Sequence, residues 1–285
     1  MSTPSPDMPG PLPDPAEVAA TRSVLDQLLE SSRLYTKSKD YKDLLDHVVK
    51  LRTFAPFNAM LLQIQKPGLS YAATAQDWQT RFGRKPKEGA RPLLILWPFG
   101  PVALVYDQLD TEGKDIPQDA HAFPVLGDMA ESALAQLTGR LDCKGIHAGA
   151  CDAGDRRAGY IRLAMPAKTD KEYSHYVLSL NRNHAPAVRF VTLVHELGHL
   201  FLGHLGRDGM LGIPDRLGLG EAQRELEAES VAYILCGRHG VKPKSETYLA
   251  AFVKQDTTIG HLDIYQVMRA AGRVETLLGL AGHIR

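Results

Sequence analysis

Cysteine is scarce in this chain: three in 285 residues, Cys143, Cys151 and Cys236. So small and odd a number excludes the dense disulfide framework of a secreted scaffold and points to a reducing compartment, the cytoplasm. Aromatic residues are few, at 7%, and net charge is nil, with 33 Lys+Arg against 33 Asp+Glu. No whole-chain polarity draws it to nucleic acid or to a membrane, so any such attraction has to be local. No run approaches the ~18 apolar residues that span a bilayer. The opening MSTPSPDMPGPLPDP has neither the basic start nor the apolar stretch of a secretory signal. These absences predict a soluble protein with no membrane partner.

What is present is ordinary globular composition, 44% hydrophobic and 23% charged, in a chain long enough for one large domain or two modest ones. Six prolines within residues 1–15 mark a disordered leader. Helical spacing at Val24, Leu25, Leu28 and Leu29, and again at Leu44, Leu45, Val48 and Val49, predicts two helices broken near residues 37–40. A third runs from Pro56 to Gln65 and stops at Lys66-Pro67-Gly68. The runs 93–97 and 102–106, either side of Pro98-Phe99-Gly100-Pro101, read as a hairpin. An acidic, turn-rich linker over 110–119 puts a domain boundary near residue 118. Beyond it the pattern gives a helix at 128–141, strands at 159–163 and 175–180, and helices near 186–205, 221–237 and 259–279.

The helix at 186–205 contains His195-Glu196-Leu197-Gly198-His199 within an apolar stretch. Residues four apart share a helical face, so both imidazoles reach one zinc ion, with Glu196 beside them as general base for a zinc-activated water. A buried carboxylate without a partner costs several kcal/mol, which argues against a chance HExxH in a core helix. A further His six residues after His199 is absent; Leu205 stands there, and His204 is one place off. The third ligand is therefore expected from the next helix, which offers Glu225, Glu227 and Glu229. Glu227 shares its face with Ser230, Val231, Ile234 and Leu235, so ligation would compensate its burial. It is the favoured ligand, with Glu229 and Glu225 as alternatives, one of which orients a ligand histidine. The strand 173–180 is a candidate edge for an extended protein or peptide substrate. Tyr173, Tyr176, His175 and His204 are candidate oxyanion helpers. Cys143, His147 and Cys151 match no standard ligand pattern.

A second feature is a local basic excess: residues 33–91 hold twelve Lys/Arg and five Asp/Glu. Arg81, Arg84, Lys85, Lys87 and Arg91 cluster beside Trp78, Phe82 and Tyr71. Basic grooves with aromatic stacking platforms hold single-stranded nucleic acid, so Trp78 and these five cations are candidate contacts to single-stranded DNA.

On His195–His199, on Glu225–Tyr233 and on Ser245-Glu246-Thr247-Tyr248-Leu249-Ala250, the second half resembles the ImmA/IrrE group of zincin peptidases. It is more closely similar to the metallopeptidase-like domain of ArdC-type antirestriction proteins. Pro56-Phe57-Asn58-Ala59-Met60-Leu61-Leu62, Gln65, Trp78 and residues 83–91 are similar to the ArdC N-terminal domain, with Phe57 standing where that family usually has serine or tyrosine before the asparagine. The resemblance implies an α+β protein in three parts: the leader 1–15, a helical and β-hairpin domain over 16–118, and a zincin-like metallopeptidase domain over 119–285. It implies a single-stranded-DNA-binding first domain and action on DNA-associated proteins or in antirestriction. The expected activity is amide hydrolysis with one Zn2+ per chain. The alternative is a non-catalytic antirestriction or single-strand-binding protein with a structural zinc; retention of Glu196 argues against it, since a structural site needs no base.

Overall fold

The computed structural model describes residues 38–97, 100–116, 129–152, 158–241 and 262–281. The expected leader, the helix around Val24 to Leu29, the centre of the hairpin turn, residue 118 and the motif at 245–250 lie outside the described residues.

Helix α1 (Ser38–Lys50) buries Tyr41, Leu44, Leu45 and Val48 along one stripe. Helix α2 (Pro56–Gln65) starts on proline, whose missing N–H costs nothing in a first turn. Asn58 and Gln65, seven residues apart, share a face of α2 and lie against strand β3 (Leu93–Trp97). The Asn58 amide donates to the Leu96 carbonyl at 3.0 Å and accepts from its N–H at 3.0 Å. Gln65 does the same for Leu94, at 2.8 Å and 2.8 Å. Two side-chain amides thus supply what a neighbouring strand would and close an otherwise open sheet edge.

Strand β1 (Ala72–Ala73), helix α3 (Ala75–Phe82), strand β2 (Arg84–Pro86), then β3, β4 (Gly100–Asp107) and β5 (Thr111–Gly113) follow in sequence. The hairpin expectation holds: β3 and β4 pair antiparallel, Leu93 opposite Val105, in a sheet of order β1-β4-β3. Helix α3 is an addition to the sequence reading. Thr74 caps it by accepting from the Asp77 N–H, and Gly83 ends it at φ 61°. Strands β2 and β5 form a separate antiparallel pair.

After α4 (Glu131–Thr138), strands β6 (Ile146–Cys151), β7 (Gly159–Met165) and β8 (His175–Asn181) form a sheet of order β6-β8-β7. Strand β8 runs parallel to β6 and antiparallel to β7. The expectation that 173–180 offers an edge is corrected here: β8 is paired on both sides, and β7 is an edge instead. Strand β6 was not foreseen because Ile146-His147-Ala148-Gly149-Ala150-Cys151 carries little β propensity of its own and is held by pairing with β8.

Helices α5 (Pro186–Phe201), α6 (Glu221–Arg238) and α7 (Ile264–Leu277) complete an α+β fold. One buried cluster joins Tyr41, Leu44, Met60 and Ile95 to Leu197, Val231 and Val267, so the core runs unbroken across the expected boundary. Buried Arg238 of α6 reinforces this. It pairs with Glu275 at 2.8 Å and donates to the carbonyls of Val48 and Phe54, both at 2.8 Å. A small second core holds Tyr71, Ala73 and Trp78, with Phe82, Tyr106 and Ile116 against it. Among the described residues no helix is long and apolar enough to cross a membrane.

Candidate metal and catalytic site

Helix α5 buries Phe190, Leu193, Val194, Leu197 and Leu200, which leaves His195 and His199 together on a partly open face. Gly198 sets how near α6 comes: a Cβ there would lie 3.3 Å from Val231 Cβ and 3.5 Å from Ala228 Cα. That close approach brings the first turns of α6 against the histidines. His195 Nε2 and His199 Nε2 stand 3.1 Å apart. Glu225 places one oxygen 3.5 Å from the former and the other 3.4 Å from the latter. Four ligands around zinc at bond lengths of about 2.0–2.1 Å sit roughly 3.3 Å from one another, so this N2O set fits such an ion. Among the described residues it is the one group of three or more His, Cys, Asp or Glu side chains so arranged.

Glu229, one turn after Glu225, lies 3.6 Å from His195 Nδ1, on the far side of that ring. Hydrogen bonds from His195 and His199 hold the Glu225 carboxyl well below the usual carboxylate range. Burial works to lower the His195 pKa, but the hydrogen bond to Glu225 and the charges of Glu229 and Glu196 outweigh it and raise the pKa. Burial raises the Glu196 pKa, against the opposing charges of His195 and His199. Its Oε2 accepts from the Ile161 N–H of β7 at 3.0 Å.

Glu227 does not join this group. It is fully buried, and its carboxylate accepts two bonds from Arg216 at 2.7 Å each, one from Gln223 at 3.1 Å and one from the Asp263 N–H at 3.4 Å. His204 Nε2 lies 3.1 Å from its Oε2. The shared face does bury Glu227, but ion pairing stands where metal ligation was expected. The compensating cation is a guanidinium from the loop before α6, which helical spacing cannot reveal. Burial pushes the Glu227 pKa up, but the bonds from His204 and Arg216 bring it below its ordinary value.

His204 belongs to the end of α5. Gly203 takes φ 84°, its N–H bonds the Leu200 carbonyl at 3.0 Å, and the His204 N–H bonds the His199 carbonyl at 3.0 Å. This Schellman turn folds His204 back so that its Nδ1 lies 2.9 Å from His199 Nδ1. The other three candidate oxyanion helpers are engaged elsewhere. Lys144 donates to the Tyr173 hydroxyl at 3.0 Å, the Tyr176 hydroxyl donates to Asp208 at 3.0 Å, and His175 stacks on His147. All three cysteines are free.

The basic segment is arranged differently. Trp78 is fully buried, its indole N–H donates to the Tyr106 carbonyl at 2.9 Å, and Tyr71 and Phe82 pack on it at 5.4 and 5.3 Å. The expected stacking platform is thus a core residue with no ring face open to a base. Arg84 donates to Thr111 Oγ1 at 2.9 Å, to the Thr111 carbonyl at 2.7 Å and to the Lys114 carbonyl at 2.5 Å. Lys85 pairs with Glu112 at 3.3 Å across β2 and β5. Lys87 donates to the Leu109 carbonyl at 2.8 Å. Arg81 lies 5.3 Å over the Phe82 ring with its side chain exposed, and Arg91 is exposed.

Fold and site together define an α+β protein built on a packed pair of helices, one carrying HExxH and the other carrying glutamates. Residues 145–236 match the family of IrrE N-terminal-like domains. That span opens at β6 and closes within α6, so it holds the sheet, both histidines, Glu196 and the three glutamates. The chain is also similar to the antirestriction protein ArdC of the R388 plasmid in its Mn(II)-bound crystal structure. The two are 17% identical with a TM-score of 0.43, over 92% of this chain and 96% of that one. The metal-free structure of the same protein is 18% identical with a TM-score of 0.37, over 79% and 82%. No curated protein matches the chain.

Proposed function

We propose that this protein is a zinc-dependent hydrolase of amide bonds in a protein or peptide, with one ion per chain held by His195, His199 and Glu225 and with Glu196 as general base. The observation that carries the reading is the convergence of His195 Nε2, His199 Nε2 and the Glu225 carboxylate beside the half-buried Glu196 carboxyl on the same helix as the histidines. When bound, zinc supplies Lewis acidity, bringing the pKa of water to about 7 and polarising a carbonyl oxygen.

The chain's own groups do the rest. Burial makes Glu196 a stronger base than a solvated carboxylate, as proton removal near neutral pH requires. The Ile161 N–H holds Oε2, leaving Oε1 to take the proton from the attacking water. Since that N–H leaves β7 on the side away from β8, an extended peptide laid along the β7 edge would pass Glu196. Glu229 steadies the His195 ring. Three free cysteines suit the reducing cytoplasm.

Metal analysis together with a casein cleavage assay, run with and without single-stranded DNA, tests the proposal. The wild type should carry about one zinc, and His195→Ala and His199→Ala none. Glu196→Gln should keep the zinc and lose cleavage by about 10² to 10⁴. Full zinc in both histidine variants overturns the site. Equal cleavage by wild type and Glu196→Gln removes Glu196 from the role of base. Zinc without any cleavage favours the non-catalytic alternative.

A further inference from the structure

Nothing in the proposed chemistry uses the buried group behind His199, yet its hydrogen bonds point to a function. The Glu227 carboxylate accepts from Arg216, Gln223 and the Asp263 N–H, and a carboxylate so surrounded only accepts. The 3.1 Å contact from His204 Nε2 is therefore donated by the ring, which puts a proton on Nε2. A neutral imidazole with its proton on Nε2 has a lone pair on Nδ1. That nitrogen lies 2.9 Å from His199 Nδ1, so it can accept the proton that His199 carries there when its Nε2 is given to a cation. With its proton on Nδ1, the His199 ring has its lone pair on Nε2, the nitrogen facing His195 and Glu225.

We infer that His204, fixed by Glu227 and Arg216, accepts the His199 Nδ1 proton and so holds the Nε2 lone pair toward the cation. The inference rests on the proposed cation site. His204 is a positioning residue in this scheme, and it touches no reacting atom. Three local features build the relay. The Schellman turn at Gly203 places His204 against His199. Arg216 donates to the Leu202 carbonyl at 3.3 Å at the end of α5 while clamping Glu227. Both His204 and Glu227 are sealed from solvent, at 1% and 0% side-chain exposure, so water does not compete for their bonds. A ligating histidine usually hands its second N–H to a carboxylate or a carbonyl. Here a second imidazole is interposed, with the carboxylate behind it.

The test compares the wild type with His204→Asn and His204→Leu. Asparagine places an acceptor oxygen near the Nδ1 position, and leucine places none. Zinc affinity is measured by competition with a chelator. His204→Leu should weaken it by about 10- to 100-fold while His204→Asn stays within about threefold of wild type. A merely structural role would weaken both alike, and equal affinity in all three would show that His204 does nothing for the site; either result overturns the inference. Nitrogen-15 NMR of the imidazoles in zinc-loaded wild type reads the proton positions directly and does not depend on either variant folding. A His204 ring protonated at Nε2 alone supports the relay, and one protonated at Nδ1 overturns it. If wild type binds no zinc, the reading of the site fails; zinc bound by a protein whose His204 is protonated at Nδ1 overturns the inference alone.

Discussion

Between α5 and α6, two imidazole nitrogens and a carboxylate face one another 3.1, 3.4 and 3.5 Å apart. Around β2 the cations have partners of their own instead: Arg84 bonds Thr111 and Lys114, and on the surface Lys85 pairs with Glu112 and Lys87 with the Leu109 carbonyl. Both regions are dense in ionisable side chains and both stand out in the sequence. They differ in what is left over. A cation that already has a carboxylate or carbonyl beside it gains less from a ligand, whereas lone pairs converging on an anion call for a cation. Clusters of charge become sites where the surrounding fold withholds partners. Where it supplies them, they are struts.

The largest expected effect breaks the comparison at Trp78. As a fully buried indole bonded to the Tyr106 carbonyl, its replacement by alanine should cost about 3–5 kcal/mol in denaturant unfolding. An exposed stacking residue would cost almost nothing. A Trp78→Ala protein of wild-type stability would return the indole to the surface and restore the stacking role.

Next comes the choice among the glutamates. Glu225→Gln should cut zinc affinity by more than 100-fold with the fold intact. Glu229→Gln should cost about 10- to 100-fold, the scale for a group that orients a ligand. Glu227→Leu should instead lower stability by about 3–5 kcal/mol, because it strands the Arg216 guanidinium inside the protein. Isothermal titration with zinc and thermal melts of the three variants separate these outcomes. Zinc lost only with Glu227 would reverse the assignment.

Periodicity showed α1, α5 and α6, and the four-residue spacing of His195 and His199 showed the site, because both depend on separations of three or four residues along the chain; Pro56 and the Lys66-Pro67-Gly68 stop bounded α2. What the sequence hid depends on distant partners. Glu227 reads as a ligand until Arg216 is seen to clamp it, and Arg216 lies eleven residues upstream in a loop without periodicity. Gly203 after an apolar helix is a visible stop signal, and it could have marked His204 as folded back on the site. Strand β6 exists because β8 pairs with it, and its composition alone does not announce it. The stretch Pro56–Gln65 stood out through resemblance, and the structure gives Asn58 and Gln65 a physical reason in the closed edge of β3.

That closed edge gives a third prediction, smaller than the first two. Asn58→Leu leaves the Leu96 N–H and carbonyl without these bonds, and Gln65→Leu does the same at Leu94. Each removes two part-buried bonds and should cost about 1–3 kcal/mol, at about 0.5–1.5 kcal/mol a bond. Zinc content should stay at the wild-type value in both. Should either substitution be neutral in urea titrations, water closes that edge as well as the amide does.

The smallest effects belong to Arg81 and Arg91, and they decide what remains of the basic segment as a nucleic-acid surface. Both are exposed, so replacing both with alanine should shift stability by no more than about 0.5 kcal/mol. Binding to single-stranded DNA, measured by fluorescence anisotropy at several salt concentrations, reads the charges themselves. Each phosphate neutralised on a single strand contributes about 0.7 to the slope of log K against log salt. Arg81 and Arg91 together can account for a slope of about 1.4, and all five basic residues for about 3.5. The structure leads us to expect the smaller value from this segment, abolished by the Arg81→Ala, Arg91→Ala double variant. A residual slope of about 2 after that substitution would mean that Arg84, Lys85 and Lys87 leave Thr111, Glu112 and Leu109 to meet the strand. The cations of β2 would then be held in reserve for a ligand, and the contrast with the helix pair would fail.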